Sequence, residues 1–170
     1  MPSPTYTLIA SNTLSTSAAS VTFSSIPSTY TDLVLRCSFV DAGATGVQPM
    51  GAGTYGLRIT GVSGTTSQRF IRGNGSAASS SSISGLYMAD INGTGSTFTS
   101  VEIYIPSYTA SQNKPISSFS AAEANATTAY ISAVAALYQN TSAISSFSLD
   151  LLGDSFAVGS SFFLYGLKNS

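Results

Sequence analysis

The chain has 170 residues, a formal net charge of −1 and only 8% charged residues, against about 25% in an average soluble protein. Its length fits one domain with a two-layer core. Of its six basic residues only Arg69 and Arg72 lie close together, which excludes the clustered phosphate contacts of a nucleic-acid-binding protein. The sequence shows neither a long apolar run typical of a membrane span nor a secretory signal, so we expect no membrane partner and folding in a cytosol.

Serine and threonine replace charged residues as the source of polarity. They supply roughly three residues in ten, far above ordinary usage. A hydroxyl-rich surface with a net charge near zero repels copies of itself only weakly, which promotes association. The composition therefore predicts a protein that works in an assembled state.

Strands are predicted along the whole chain, because short alternating apolar segments recur between Gly, Ser, Asn and Pro residues. The pattern is clearest in residues 20–39, where Val21 and Phe23 alternate with hydroxyl residues, Pro27 marks a turn, and alternation resumes at Leu33. The predicted strands are Thr5–Ala10, Ser20–Phe23, Asp32–Phe39, Tyr55–Thr60, Gln68–Ile71, Ser84–Asp90, Phe98–Ile105, Lys114–Glu123, Ala129–Tyr138, Ile144–Leu151 and Ser161–Leu167.

The alanines of Tyr130–Tyr138 favour a helix, but the hairpin-like flanks Asn125–Thr128 and Asn140–Thr141 favour a strand. No other segment has the periodicity and caps of an amphipathic helix. The predicted fold is therefore all-β, an antiparallel β-sandwich of jelly-roll-like type.

Three segments fall outside the strand pattern. Asp41–Thr54 is predicted to be a glycine-rich loop, and Gly73–Ser82 has the composition of a flexible linker. We interpret Gly73–Ser82 as an exposed loop, since neither half of the chain would have enough strands for its own core. Residues 1–19 are interpreted as an N-terminal arm or edge segment, and residues 20–170 as one β-sandwich domain.

Two motifs match the letters of known active sites but not their context. Gly51–Gly56 reads G-x-G-x-x-G, yet a strand rather than a helix is predicted after it and no acidic residue stands about 20 positions on. The block Gly153-Asp154-Ser155-Phe156 is similar to that of GDS-type esterases. The chain has no histidine to activate Ser155, so a turn between two strands is predicted there.

The carboxylates offer two further candidate sites. Glu102 and Glu123 lie within predicted strands and are a formally possible glycosidase pair. Asp90–Gly95 places oxygen ligands as in a calcium loop, but Val101 occupies the position that requires glutamate. The default interpretation is solvated carboxylates and a hairpin turn. We therefore predict no catalytic, cofactor-binding or metal-ligating residue, no cofactor, and a chain that is not an enzyme.

The only cysteine, Cys37, lies in the alternating segment 32–39. Free cysteine is among the most buried residue types, and no histidine is present to activate the thiol. We predict that Cys37 is a small buried apolar side chain.

Three segments resemble small virion proteins of tailed phages, especially phages that infect aquatic bacteria such as cyanobacteria. They are Tyr6–Ser15 (YTLIASNTLS), Ser20–Leu35 (SVTFSSIPSTYTDLVL) and Ser160–Leu167 (SSFFLYGL). The resemblance brackets the chain and is looser in its middle. It implies a β-sandwich carried on a phage particle, among capsid decoration proteins or among tail and fibre components.

The expected function is that of a non-enzymatic virion structural protein on the outer surface of the capsid. It would stabilise the shell by binding the major capsid protein, with contacts sought in Pro2–Ser20 and one set of loops. The alternative is a tail-associated or receptor-binding module that recognises a host glycan through the loops Asp41–Thr54, Gly73–Ser82 and Ala124–Thr128. The absence of tryptophan and of room for a fibre stalk disfavours that alternative.

A homo-oligomer is also expected. Exposed strand edges are usually blunted by charge, especially by lysine, and the chain has only two lysines, Lys114 and Lys168. Closed cyclic symmetry covers edges without forming fibres. The three-fold positions of an icosahedral shell favour a trimer.

Overall fold

The computed structural model describes residues 5–43, 46–51, 55–93, 97–124 and 128–168. Within these ranges the chain consists of strands joined by turns. In chain order the strands are β1 (Tyr6–Thr13), β2 (Ser20–Phe23), β3 (Asp32–Phe39), β4 (Val47–Gln48), β5 (Leu57–Thr60), β6 (Thr65–Gly73), β7 (Ala78–Ile83), β8 (Tyr87–Ala89), β9 (Ile91–Asn92), β10 (Thr99–Ile105), β11 (Lys114–Glu123), β12 (Ala129–Gln139), β13 (Phe147–Leu151) and β14 (Ser161–Leu167).

The strands form two layers of unequal width. The larger sheet has eight strands in the order β1-β14-β3-β10-β11-β12-β6-β7, and the smaller has four in the order β2-β13-β5-β8. β4 and β9 form a separate two-stranded ladder. All of these pairings are antiparallel. The predicted fold class, an all-β antiparallel sandwich of jelly-roll-like type, is confirmed.

The core lies between the two sheets and follows from the period-2 alternation of the strands. On β3, Leu33, Leu35 and Phe39 are almost fully buried. Phe39 contacts Phe156 and Phe162, with ring centroids 5.6 and 6.5 Å apart. Such aromatic contacts contribute about 0.5–1.5 kcal/mol beyond the area that they bury.

The three segments that carry the phage resemblance are neighbours in space, because β1, β14 and β3 are adjacent in the larger sheet. Thr31, just before β3, donates its backbone N–H to the carbonyl of Leu167 over 2.7 Å. The ring of Tyr30 lies against the backbone of Gly166, where an added Cβ would come within 2.3 Å of the ring. Glycine at this position therefore allows the close approach of the turn before β3.

The segment Gly73–Ser82, predicted to be an exposed loop, is exposed from residue 74 onward, but much of it is a strand and not a loop. Residues from Ala78 onward form β7, which pairs with β6 at the edge of the larger sheet. The side-chain oxygen of Asn74 accepts the N–H groups of Ser76 and Ala77, which closes a tight turn. That turn returns the serine run alongside β6, so tertiary pairing overrides the linker-like composition.

Other boundaries differ by a few residues. The ambiguous segment Tyr130–Tyr138 lies within β12, so its interpretation as a strand is confirmed. The strand predicted at Ile144–Leu151 begins only at Phe147. The predicted loop Asp41–Thr54 holds the short strand β4, and its residues 44–45 and 52–54 lie outside the described ranges.

Candidate interaction surface

The larger sheet has one face against the smaller sheet and an opposite face, which we call the outer face. Strand register places its side chains in rows across the sheet. One row runs through Phe163, Arg36, Glu102, Phe119, Ala133, Ile71 and Ser80, on β14, β3, β10, β11, β12, β6 and β7. Its outward side chains on β6, β7, β11 and β12 are exposed or half-buried, whereas Asp32 and Val34 at one end of β3 are buried.

The outer face is unusually apolar for an exposed surface. Of the nine large hydrophobic side chains that are exposed among the described residues, six belong to it, namely Tyr6, Leu8, Ile71, Tyr104, Phe119 and Ile131. Three of them, on neighbouring strands, form what we call the apolar ridge: Phe119, Ile131 and Ile71, which are 56%, 51% and 63% exposed. Contiguous exposed apolar patches are typical of interaction sites, whereas single exposed apolar side chains are common on any protein surface.

Depressions flank the apolar ridge where the sheet carries small side chains. One of about 550 Å³ is lined by Ala133, Ala135, Ser80 and Ser82, with Arg69 at its margin. Another, of about 400 Å³, lies on the opposite side of Phe119 over β3, β10, β11 and β14. A third, of about 190 Å³, is lined by all three side chains of the apolar ridge, Phe119, Ile131 and Ile71. The outer face therefore has relief, with hollows beside and between the exposed apolar side chains.

Exposed charges on the outer face are few and balanced. Arg36 and Glu102 form an ion pair over 2.8 Å, and the Arg36 guanidinium lies 5.7 Å from the centre of the Tyr6 ring. Arg69 and Glu123 are the other exposed charged side chains pointing this way. The two arginines balance the two glutamates in charge, so the exposed charges of the outer face sum to zero.

One further carboxylate on this side of the sheet is buried. Asp32 accepts hydrogen bonds from the Tyr104 hydroxyl over 2.9 Å and from the Ser107 backbone N–H over 2.8 Å. Burial and the hydrogen bond to Asp32 raise the pKa of Tyr104. This arrangement positions the turn after β10. The Asp32 carboxylate is the hydrogen-bond acceptor for both the Tyr104 hydroxyl and the Ser107 N–H.

A second polar cluster lies at the inner side of β6 and β12. Asp90 Oδ1 accepts the backbone N–H of Met50 over 2.7 Å and lies 3.0 Å from Arg72 Nε. That Nε contact is ionic rather than a hydrogen bond, since its N–H finds no aligned acceptor. Arg72 Nη2 donates to the Met50 carbonyl over 2.8 Å, and the Ser132 hydroxyl donates to Asp90 Oδ2. The cluster anchors the segment around Met50 to the sandwich.

Lys114 is not available to protect a strand edge. Its side chain points inward from the start of β11, where Nζ donates to the carbonyls of Asn140 over 2.9 Å and Ser142 over 2.6 Å. Burial lowers the pKa of this amine. Cys37 is buried as predicted, and burial raises the pKa of its thiol above the normal range.

The described residues of both sequence motifs lie in connections between strands. At Gly51–Gly56, Gly51 donates its N–H to the carbonyl of Tyr55 and β5 follows, while residues 52–54 lie outside the described ranges. At Gly153–Phe156, Asp154 donates its N–H to the carbonyl of Leu151 over 3.1 Å, and Gly153 has a φ of 79°. Both segments connect strands.

The carboxylate candidates are not brought together. Register pairs Ser100 with Ala121, so Glu123 lies four residues along the sheet from the position opposite Glu102, about 14 Å away. Glycosidase pairs stand about 5–9.5 Å apart. In the candidate calcium loop, Asp90 has the protein partners given above, and residues 94–96 lie outside the described part of the chain.

The described residues contain neither a metal-ligand cluster nor a membrane-spanning helix. No group of three or more His, Cys, Asp or Glu side chains is placed to hold a metal ion there. The same ranges contain no helix that is both long and apolar enough to cross a membrane. Comparisons of the chain with protein-family models, with curated proteins and with solved structures found no match.

From the sequence, we predicted capsid contacts in the N-terminal segment and in one set of loops. The outer face was not predicted. A signal was present in β12, where Ile131, Ala133, Ala135 and Leu137 alternate with Val134, Ala136 and other inward residues. A strand that is apolar on both faces is typical of a sheet covered on both sides.

Proposed function

We propose that this chain is a non-enzymatic structural protein of a phage virion, which decorates the outer surface of the capsid and stabilises it by binding the major capsid protein. The observation that carries the proposal is the outer face, a broad, neutral and partly apolar surface on a hydroxyl-rich sandwich. Such a surface suits a protein that works in an assembly with further copies of itself. The resemblance to phage virion proteins favours a capsid as the site of that assembly.

Two further features support this proposal. The segments that resemble phage virion proteins, β1, β14 and the turn into β3, pack against one another in the sheet. In addition, the carboxylates and the serine block that could have suggested hydrolysis lie in separate turns and strands. We extend the proposal to a homo-oligomer with three copies, which matches the three-fold positions of an icosahedral shell.

The proposed mechanism is mass action on the assembled shell. A protein that binds the assembled capsid but not its separated subunits stabilises the shell by RT ln(1 + [L]/Kd) at each site. An oligomer that contacts several capsid subunits at once adds avidity to each individual contact. No chemical step is required, and the effect depends on occupancy alone.

The test is to prepare phage particles that lack this protein and then add it back. We expect the depleted particles to release their genome at a lower temperature and after milder osmotic shock, and added protein to restore resistance in proportion to occupancy. Particles that are equally resistant with and without the protein would contradict the proposal. Binding of the isolated protein to host cells, abolished by exchanging the loop 41–54, would instead favour the tail-associated alternative.

A further inference from the structure

We infer that the outer face is the surface on which a second copy of this chain docks. The inference rests on the self-association proposed above and deepens it by assigning a surface. A face that docks on the same face of another copy makes a two-fold contact, so the outer face joins chains in pairs, and a three-fold contact would be formed by other parts of the chain. It starts from the apolar ridge, whose three side chains are each more than half exposed. Burying such side chains stabilises a complex by about 25 cal/mol per Å² of apolar surface removed from water.

The outer face has the area that a stable subunit contact needs. Eight strands at about 4.8 Å spacing span about 34 Å. The outward residues of β10, Ser100, Glu102 and Tyr104, mark three rows that cover about 20 Å along the strands. The resulting area of about 700 Å² is close to the roughly 800 Å² that each partner buries in a standard interface. One copy of this face can therefore cover another without help from other parts of the chain.

Charge and relief make the outer face compatible with itself. Its exposed charges are two arginines and two glutamates, so two copies meet without net repulsion, and Arg36 of one copy can face Glu102 of the other. The apolar ridge stands beside hollows of about 400 and 550 Å³ on the same face. A ridge from one copy can thus enter a hollow of the next, which is what a contact between identical chains requires.

A second copy fits these observations better than an unrelated protein. Complementary electrostatic potentials select binding partners. A face that binds a different protein, such as the capsid protein, is therefore expected to carry a net charge or a one-sided charge distribution. The outer face offers adjacent charges of opposite sign instead. Capsid contacts are then left to the loops and strand ends outside this face.

The first test compares variants of equal exposure on and off the outer face. The purified full chain is studied by sedimentation equilibrium from about 1 to 100 µM, together with the double variant Ile71→Ser/Phe119→Ser and the control Val158→Ser. Val158 is 58% exposed but lies in the turn between β13 and β14. We expect the double variant to weaken association by at least about 30-fold, as for residues at the centre of an interface, and the control to leave it unchanged. Urea unfolding verifies that each variant is folded.

The second test uses charge. Glu102→Arg places three arginines on the outer face and is expected to weaken association at low salt, with recovery as salt screens the repulsion. The double variant Arg36→Glu/Glu102→Arg keeps the ion pair in reverse and changes both copies together, so it is expected to associate as the wild type does. A partner other than this chain would instead lose affinity for the reversed pair.

A wild-type protein that is monomeric at 100 µM would overturn the inference. So would an oligomer that tolerates the Ile71→Ser/Phe119→Ser change, or one that the reversed pair abolishes while the variant stays folded. These failures are distinct from failure of the proposed function. A monomer bound in many copies to capsids would refute the inference alone, whereas an oligomer through this face that is absent from particles would refute the capsid proposal alone.

Discussion

At the scale of single residues, close contacts decide what the sequence must contain. Gly166 belongs to a strand and does not need an unusual φ, but it has no room for a side chain because the Tyr30 ring lies against its backbone. This contact joins the C-terminal strand to the turn that precedes β3. It gives a physical reason for the Tyr-Gly dipeptide of the C-terminal motif.

We therefore predict that Gly166→Ala destabilises the fold by about 1–3 kcal/mol, the usual cost of overpacking a filled site. The matched control is Gly73→Ala, where an added Cβ would lie 3.6 Å from the nearest atom of Ile131, an ordinary contact. Both free energies of unfolding are measured in urea. Equal effects of the two changes would show that Tyr30 moves aside at little cost.

Lys114 provides a prediction about pH. Burial lowers the pKa of its amine in the folded protein, while the unfolded chain has the ordinary value of about 10.4. Between these two values the unfolded state binds more protons, so the free energy of unfolding contributed by this group increases as pH rises. We expect the difference in stability between the wild type and Lys114→Met to shift in favour of the wild type over this window.

The measurement is urea unfolding of both proteins at several pH values below about 10.4. Ionisable groups other than Lys114 are common to both proteins and cancel in the difference. A difference that is constant with pH would show that the Lys114 amine has its ordinary pKa in the folded state.

At the scale of elements, the bounds of strands with one buried face could be predicted from the sequence. Strands whose position depends on pairing with a neighbouring strand could not. β2 and β3 have the predicted bounds, since their alternation of apolar and polar residues is fixed by the core. The serines of β7 carry no such pattern, and their pairing with β6 depends on the turn at Asn74. The outer face was not predicted for a related reason. The sequence of β12 indicates that both of its faces are apolar, but it does not indicate which strands lie beside it.

Deleting residues 1–13 tests whether the N-terminal segment is a detachable arm. β1 pairs with β14 from Tyr6 to Thr13, with one irregularity between Leu8 and Ala10. We expect the truncated chain to unfold at lower urea and to aggregate, since the deletion exposes the full edge of β14. A truncated protein with the same urea midpoint as the full chain would identify the segment as a dispensable arm.

At the scale of the whole molecule, the larger sheet has twice as many strands as the smaller one. A sandwich of eight strands on four buries one face of the larger sheet and leaves the other to solvent. A low content of charged residues and a net charge of −1 provide little repulsion to keep such faces apart. In the proposed assembly a second copy covers the outer face, and a virion would supply both many copies and a surface on which to hold them.

The most direct test of this account is the number of copies of this polypeptide per particle, measured by quantitative mass spectrometry of purified virions against the major capsid protein. Capsid decoration predicts a copy number in the hundreds, in a simple ratio to the major capsid protein. A handful of copies per particle, or none, would contradict the proposed place on the capsid.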